Sequence, residues 1–150
     1  ICLELLERLE QQGEIYDIIA LLYPTAPLRN ADDIRSMVRL VQREDTDFVH
    51  AVTSCEGNPY QVLYQNSNGY LAPVWPLLVQ KKSQELPQPF RGNGSTYLAK
   101  TAALKSARTF YGPRLRGYQM DRLRSADIDT QEDFDMLTAF ASILKENSHA

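Results

Sequence analysis

The sequence predicts an α/β protein in which helices cross over between the strands of one sheet. Two observations in the first third of the chain lead there. Helical and strand-like patterns alternate, and the strand-like segments are continuous apolar runs, the mark of strands covered on both faces. The third is size: 150 residues with 43% apolar content can bury one core.

Residues 1–12 read as a helix, with Leu3, Leu5, Leu6 and Leu9 on an amphipathic pattern closed by Gly13. Residues 16–22 form an apolar run of strand length, expected to be a central strand. Pro24 and Pro27 then force a turn. Asn30 or Asp32 can cap the next helix, where Ile34, Met37, Val38 and Val41 repeat at helical spacing up to Arg43-Glu44-Asp45. Residues 48–53 follow as a second strand.

From Cys55 to Arg91 the character changes. Gly57-Asn58-Pro59 and Asn66-Ser67-Asn68-Gly69 are turn signals around an alternating segment at 61–65, which can pair with Tyr70-Leu71-Ala72 as a hairpin. Pro73, Trp75, Pro76, Pro87 and Pro89 follow. Such a segment seldom stabilises itself, so residues 55–92 are expected to be an inserted excursion. It either packs back on the parent sheet or, the favoured reading, forms an arm that buries Trp75, Leu77, Leu78 and Val79 against a partner subunit. Regularity returns with a strand at 95–99, a short helix at 101–107 and an extended piece at 118–120.

Composition excludes several functions. Nothing is long and apolar enough to cross a membrane, and a net charge of -3 without a clustered basic face argues against nucleic-acid binding. Cys2 and Cys55 lack metal or redox spacing and read as reduced, buried thiols, which suits a cytoplasmic protein. His50 and His149 are isolated and receive no role. Ile1 begins directly inside an amphipathic pattern, without an initiator Met or a signal peptide, as expected of the back part of a longer protein.

Three constellations carry chemistry. Pro24-Thr25-Ala26-Pro27-Leu28-Arg29 leaves the carboxyl end of a buried strand, where open α/β sheets bind ligands. It displays a hydroxyl and a guanidinium, although Arg29 can instead pair with Asp32 or Asp33. In the second, Arg91 precedes Gly92-Asn93-Gly94, which places a cation and an amide donor together, as recognition of a carboxylate or sugar hydroxyls requires. No third glycine or Lys follows and a strand comes next, so the glycines are weak evidence for a phosphate loop and are expected to permit a tight backbone.

The third is Asp127-Ile128-Asp129-Thr130-Gln131-Glu132-Asp133-Phe134. In an extended segment Asp127 and Asp129 share a face and can hold a hard divalent cation. The alternative is that these acids only cap the helix begun at Thr130, whose apolar stripe is Phe134, Leu137 and Phe140. A calcium loop is excluded, since Glu132 stands where Gly is needed and Thr138 where a bidentate Glu belongs.

In order and spacing these three segments resemble the acylneuraminate cytidylyltransferase family. Residues 24–29 are similar to its Gln-Pro-Thr-Ser-Pro-Leu-Arg segment, residues 86–97 to its Leu-Pro, Phe-Arg and Asn-Gly-Ala-Ile-Tyr run, and residues 127–133 to its Asp-Ile-Asp-Thr motif. The resemblance implies an open, mostly parallel sheet of the nucleotide-diphospho-sugar transferase (Rossmann-like) type, with a small hairpin and loop excursion for dimerisation. It implies CTP and a sialic-acid-like nonulosonic acid as substrates, Mg²⁺ as cofactor, and a homodimer. Asp127 and Asp129 would hold the metal against the triphosphate; Arg91 would lie at the sugar-acid site across the dimer, with Asn93, Tyr23, Thr25 and Arg29 on the substrate side. Tyr97 is expected to pack in the core.

Departures from the family pattern are specific. Tyr23 stands where sialate-specific members have Gln, Ala26 replaces Ser, and two sugar-binding cations align with Gln61 and Ser83, with Lys81 or Lys82 able to substitute for one of them, so the sugar is expected to differ from ordinary sialic acid. The family's glycine-rich nucleotide loop has no counterpart in these residues, and the 150 residues alone are expected not to turn over CTP. The competing reading is a noncatalytic dimerisation or sugar-binding module on the same fold.

Overall fold

The computed structural model describes residues 1–55 and 57–147, with side chains through Ser142; His149 lies outside the described residues. The chain divides into two compact units, residues 54–91 and the remainder.

The larger unit carries the sheet. Helix α1 (Cys2–Gln11) leads to strand β1 (Ile18–Leu22), helix α2 (Ala31–Val41) and strand β2 (Phe48–Ser54). After the smaller unit come β5 (Phe90–Lys100), α3 (Thr101–Ala107), β6 (Leu115–Gln119), a short 3-10 turn (Arg122–Ser125) and α4 (Gln131–Asn147). Helix α2 begins where expected because Asn30, not Asp32, caps it. The Asn30 side chain accepts from the N–H groups of Asp32 and Asp33, and Asp33 answers the Asn30 N–H in a capping box.

The sheet order is β1-β5-β2-β6. It corrects the expectation of a mostly parallel sheet. β2 and β6 are parallel, but β5 runs antiparallel to β1. The Lys100 N–H at the end of β5 donates to Asp47 O just before β2, so β5 opposes β2 as well. The cause is the excursion: the chain leaves the top of β2, returns at that same end, and descends between β1 and β2 without a crossover helix.

β1 is also not a strand covered on both faces. It stands at one end of the described sheet and is half exposed along its length, whereas β2 is the buried strand. The core forms two layers, one on each side of the sheet. Met37 and Val41 of α2 pack on Val49, Ala51, Leu98 and Met120, while Leu6 of α1 and Leu104 of α3 pack on Phe48 and Ala99. Neighbouring residues of β2 and β5 thus face opposite layers, as the period of two demands. Among the described residues, no helix is long and apolar enough to cross a membrane.

The smaller unit contains the expected hairpin, β3 (Leu63–Gln65) paired antiparallel with β4 (Leu71–Pro73). Its turn is held by the Asn66 side chain, which accepts from the N–H groups of Asn68 and Tyr70. None of the unit's described residues is buried in this chain, and Tyr70, Leu71, Trp75 and Leu77 are exposed. Cys2 and Cys55 are free thiols, half-buried and not fully inside as expected.

Candidate functional site

At the carboxyl end of β1 the Tyr23 N–H donates to Ser95 O at 3.1 Å, which carries the pairing with β5 into the turn. Arg29 then fastens that turn. Its Nη1 donates to Tyr23 O at 3.0 Å and Ser95 O at 2.9 Å, so the guanidinium serves the backbone, while Asp32 pairs with Arg35 and Asp33 with Arg124. Ala26 is fully buried beneath the turn. Thr25 contributes its carbonyl, which accepts from the Ile128 N–H at 2.9 Å and brings the acidic segment to this loop.

Asn93 approaches from β5. It is buried, and its amide is committed: Nδ2 donates to Ser125 Oγ at 3.0 Å and to the Met120 sulfur at 3.2 Å, while Oδ1 accepts from the Ser95 N–H. Its contribution here is to locate Ser125, two residues before Asp127. Gly94, at φ 71, occupies the left-handed region. A Cβ there would stand 2.7 Å from Asp127 Oδ2, so the absence of a side chain is what lets the carboxylate lie against the strand.

The acidic residues divide their work. Thr130 and Asp133 form a capping box: Thr130 is the N-cap and its Oγ accepts from the Asp133 N–H at 3.2 Å, while the Asp133 carboxylate accepts from the N–H groups of Asp129 and Thr130 and from the Thr130 hydroxyl. These bonds, the Thr130 hydroxyl first, hold the Asp133 carboxyl below its ordinary range. Asp127 takes no part in the cap. Its Oδ1 is buried without a hydrogen-bond partner among the described residues, and Asp129 is exposed. An orphaned buried carboxylate oxygen is costly unless a cation or donor meets it, so Asp127 fits a ligand of a hard divalent ion. No three His, Cys, Asp or Glu side chains cluster among the described residues, and such an ion would complete its shell from water and substrate.

Beside Asp127 stands an aromatic cluster that local sequence did not reveal. Tyr97 lies edge-on to His50 at 4.6 Å, Tyr23 at 5.8 Å and Phe110 at 6.0 Å, and His50 lies edge-on to Tyr111 at 4.7 Å. Tyr97 packs as expected, but it is half-buried. Its hydroxyl pKa is raised by burial, then by Tyr111, with the nearby Asp127 charge adding to the effect. Tyr23 and Tyr111 are exposed and present the outer edge of the cluster. Of this cluster the sequence singled out Tyr23 and Tyr97; nothing local points to residues 110 and 111.

His50 is the buried wedge of this cluster. Its Nε2 lies 3.0 Å from Phe110 O, so Nε2 carries the proton in the neutral ring. Burial holds its pKa below the ordinary 6.5, partly offset by that bond. The unfolded chain therefore takes up the proton first as pH falls. Stability is expected to be full above 6.5 and to decline below it until the folded-state pKa is passed. Urea unfolding at about pH 7.5 and about pH 5.5 checks this, and His50→Gln should flatten the difference.

Arg91 falls in the smaller unit. It is exposed there, at the second residue of β5, and lines a cleft with Cys55, Asn58, Gln61 and Val62. The larger unit alone therefore gathers Tyr23, Thr25, Arg29, Asn93, Asp127 and Asp129.

Fold and site together define an α/β protein whose candidate site gathers at the carboxyl end of a sheet strand, where open α/β sheets bind ligands. No family model matches the chain. It is 27% identical over 144 residues to pseudaminic acid cytidylyltransferase of Campylobacter jejuni, covering 96% of this chain and 60% of that protein. It is 25% identical to N-acylneuraminate cytidylyltransferase of Streptococcus agalactiae, covering 76% of this chain and 28% of that protein. For the enzyme of that name from Escherichia coli the figures are 28% identity, 81% and 29%. These matches support the assignment of the chain to the cytidylyltransferase family that its three motifs resemble. The chain spans about 60% of the length of the Campylobacter relative and less of the others.

Proposed function

We propose that the protein carrying this chain activates a nonulosonic acid with CTP, releasing pyrophosphate and a CMP-sugar, and that Asp127 and Asp129 hold Mg²⁺. The observation that carries the reading is the Asp127 carboxylate, whose Oδ2 lies against Gly94 and whose Oδ1 is buried without a partner among the described residues, while Thr130 and Asp133 serve the helix cap. A bound Mg²⁺ would neutralise charge on the triphosphate oxygens. The chain's own residues orient: the turn fastened by Arg29 and the segment tied to Thr25 hold the carboxylates still, which is most of what phosphoryl chemistry asks of a protein.

Tyr23, Tyr97 and Tyr111 supply an aromatic wall for the apolar parts of a sugar acid, and Thr25 lies beside them in the turn. Tyr23 in place of Gln, with a pseudaminic acid enzyme matched along 96% of this chain, favours a pseudaminic-acid-like substrate. Arg91 serves the sugar carboxylate from the arm of the second subunit, in a cytoplasmic homodimer. Pyrophosphate release from CTP by the full-length gene product, with sialic, legionaminic and pseudaminic acids in turn, tests the reaction. Release with none of them would leave a noncatalytic sugar-binding module.

The dimer has its own test. Leu77 is 87% exposed and Trp75 50% exposed on a unit with no buried residue among those described. Such a surface finds its cover in a partner. Leu77→Asp is expected to convert a dimer into a monomer by sedimentation and to cost activity with it. A wild-type monomer would remove the arm from the proposal.

A further inference from the structure

Asp33, Tyr118 and Arg124 form a charged cluster that neither the helix cap nor the proposed chemistry accounts for. Asp33 is 2% exposed and accepts hydrogen bonds from three elements: the Asn30 N–H at 2.8 Å, the Tyr118 hydroxyl of β6 at 3.1 Å, and the Arg124 guanidinium. Arg124 is largely buried too, its side chain 17% exposed, and it reaches Asp121 at 3.5 Å. The capping box needs only Asn30 and Asp33. A buried ion pair is moreover a poor source of stability, because desolvation offsets much of the attraction. What such a pair does supply is a fixed geometry.

That geometry bears on Asp127. Arg124 lies in the 3-10 turn that precedes it, and the next residue, Ser125, donates to Asp121 O at 2.8 Å and accepts from Asn93. On the other side Ile128 is bonded to Thr25 O. Asp127 is therefore suspended between two fastened points. Asp33 joins them a second time, since it holds Asn30 at the end of the Thr25 loop and Arg124 at the start of the acidic segment.

We propose that the Asp33–Arg124 ion pair is a positioning device for Asp127, coupling the 23–30 loop to the 121–129 segment so that the carboxylate stays against Gly94. Its bearing on cation affinity rests on the reading of Asp127 as a cation ligand; its effect on the loop does not. The test uses the full-length gene product with Arg124→Gln, Arg124→Lys and Asp33→Asn. Arg116→Gln, which loses an ion pair to Asp45 at the start of β6, serves as a control for general destabilisation.

Two readouts are taken: hydrogen exchange by mass spectrometry in peptides covering 126–130, and Mn²⁺ affinity by calorimetry. Arg124→Gln should speed exchange in those peptides and weaken Mn²⁺ binding by about 10- to 100-fold, the usual cost of losing a residue that orients a ligand. Arg124→Lys should fall between it and wild type, and Arg116→Gln should change neither. Unchanged exchange at 126–130 in a folded Arg124 variant overturns the proposal, and so does an equal change in Arg116→Gln. Should Asp33→Asn fail to fold, the two Arg124 variants decide. A wild-type protein that binds no Mn²⁺ sinks the cation reading of Asp127 instead, and the exchange data alone then settle the positioning role.

Discussion

Gly94→Ala is expected to leave the protein folded and to reduce turnover at least about 100-fold, the scale on which misplacing a reacting group by an ångström acts. Two costs combine at this position. The φ of 71 lies where an L residue is strained by roughly 1–2 kcal/mol. A methyl group would also stand 2.7 Å from Asp127 Oδ2 and 3.3 Å from its Cγ, closer than any relaxed contact. The carboxylate is the movable party, since the Gly94 backbone is locked between Asn93 and Ser95 in β5. Gly69→Ala separates the costs: its φ of 84 brings the same strain, but the nearest atom is a Gln65 amide nitrogen at 3.9 Å. That variant should lose stability only. Pyrophosphate release and Mn²⁺ titration on both would show whether the methyl group acts through Asp127; activity within threefold of wild type in Gly94→Ala would mean that Asp127 has no part in the reaction.

Much of the fold could be read locally, where a local rule governs it. Helix α2 was legible because a capping residue, an acidic third position and apolar residues at helical spacing all agree, and those interactions are satisfied within the segment itself. The hairpin of β3 and β4 was legible for the same reason, through Asn66 and Gly69. β1 misled. The run Ile-Ile-Ala-Leu-Leu states that the strand is apolar, not which strands flank it, and only the pairing with residues 96–100 places it at the end of the sheet. The direction of β5 was equally hidden, because it depends on where the excursion returns the chain.

The site shows the same division. The acidic motif was visible as a set of carboxylates, and the cap by Thr130 with Asp133 at the third position follows from local spacing; that Asp127 stays out of it depends on its packing against Gly94. Asn93 was expected to present its amide to a sugar in a cleft, and its bonds run inward to Ser125 and Met120 instead. Its partners are 27 and 32 residues away, and no periodicity signals such a distance. Arg29 shows the reverse case. A guanidinium in a turn suggests an ion pair, and the backbone carbonyls of Tyr23 and Ser95, one of them from β5, outcompete the acids beside it.

Asp127→Asn is expected to separate stability from function more sharply than any other substitution. In the metal-free protein the half-buried Asp127 carboxylate has one oxygen buried and unpaired among the described residues, an arrangement that costs stability. Removing the charge lowers that cost, so the metal-free variant should melt at the wild-type temperature or a few degrees above it. Turnover should fall about 100- to 1000-fold, the equivalent of the several kcal/mol that a cation contributes at a phosphoryl centre. Added Mg²⁺, which should raise the melting temperature of wild type by mass action, should no longer do so. Asp129→Asn, at an exposed position, should lose the Mg²⁺ effect without any gain in the metal-free protein. Asp133→Ala should do the opposite, lowering the melting temperature through the lost cap while keeping the response to Mg²⁺. Thermal melts with and without Mg²⁺ on the three variants distinguish the roles. If Asp127→Asn melted well below wild type and still responded to Mg²⁺, Asp127 would be a structural residue and the cation would have to be sought elsewhere.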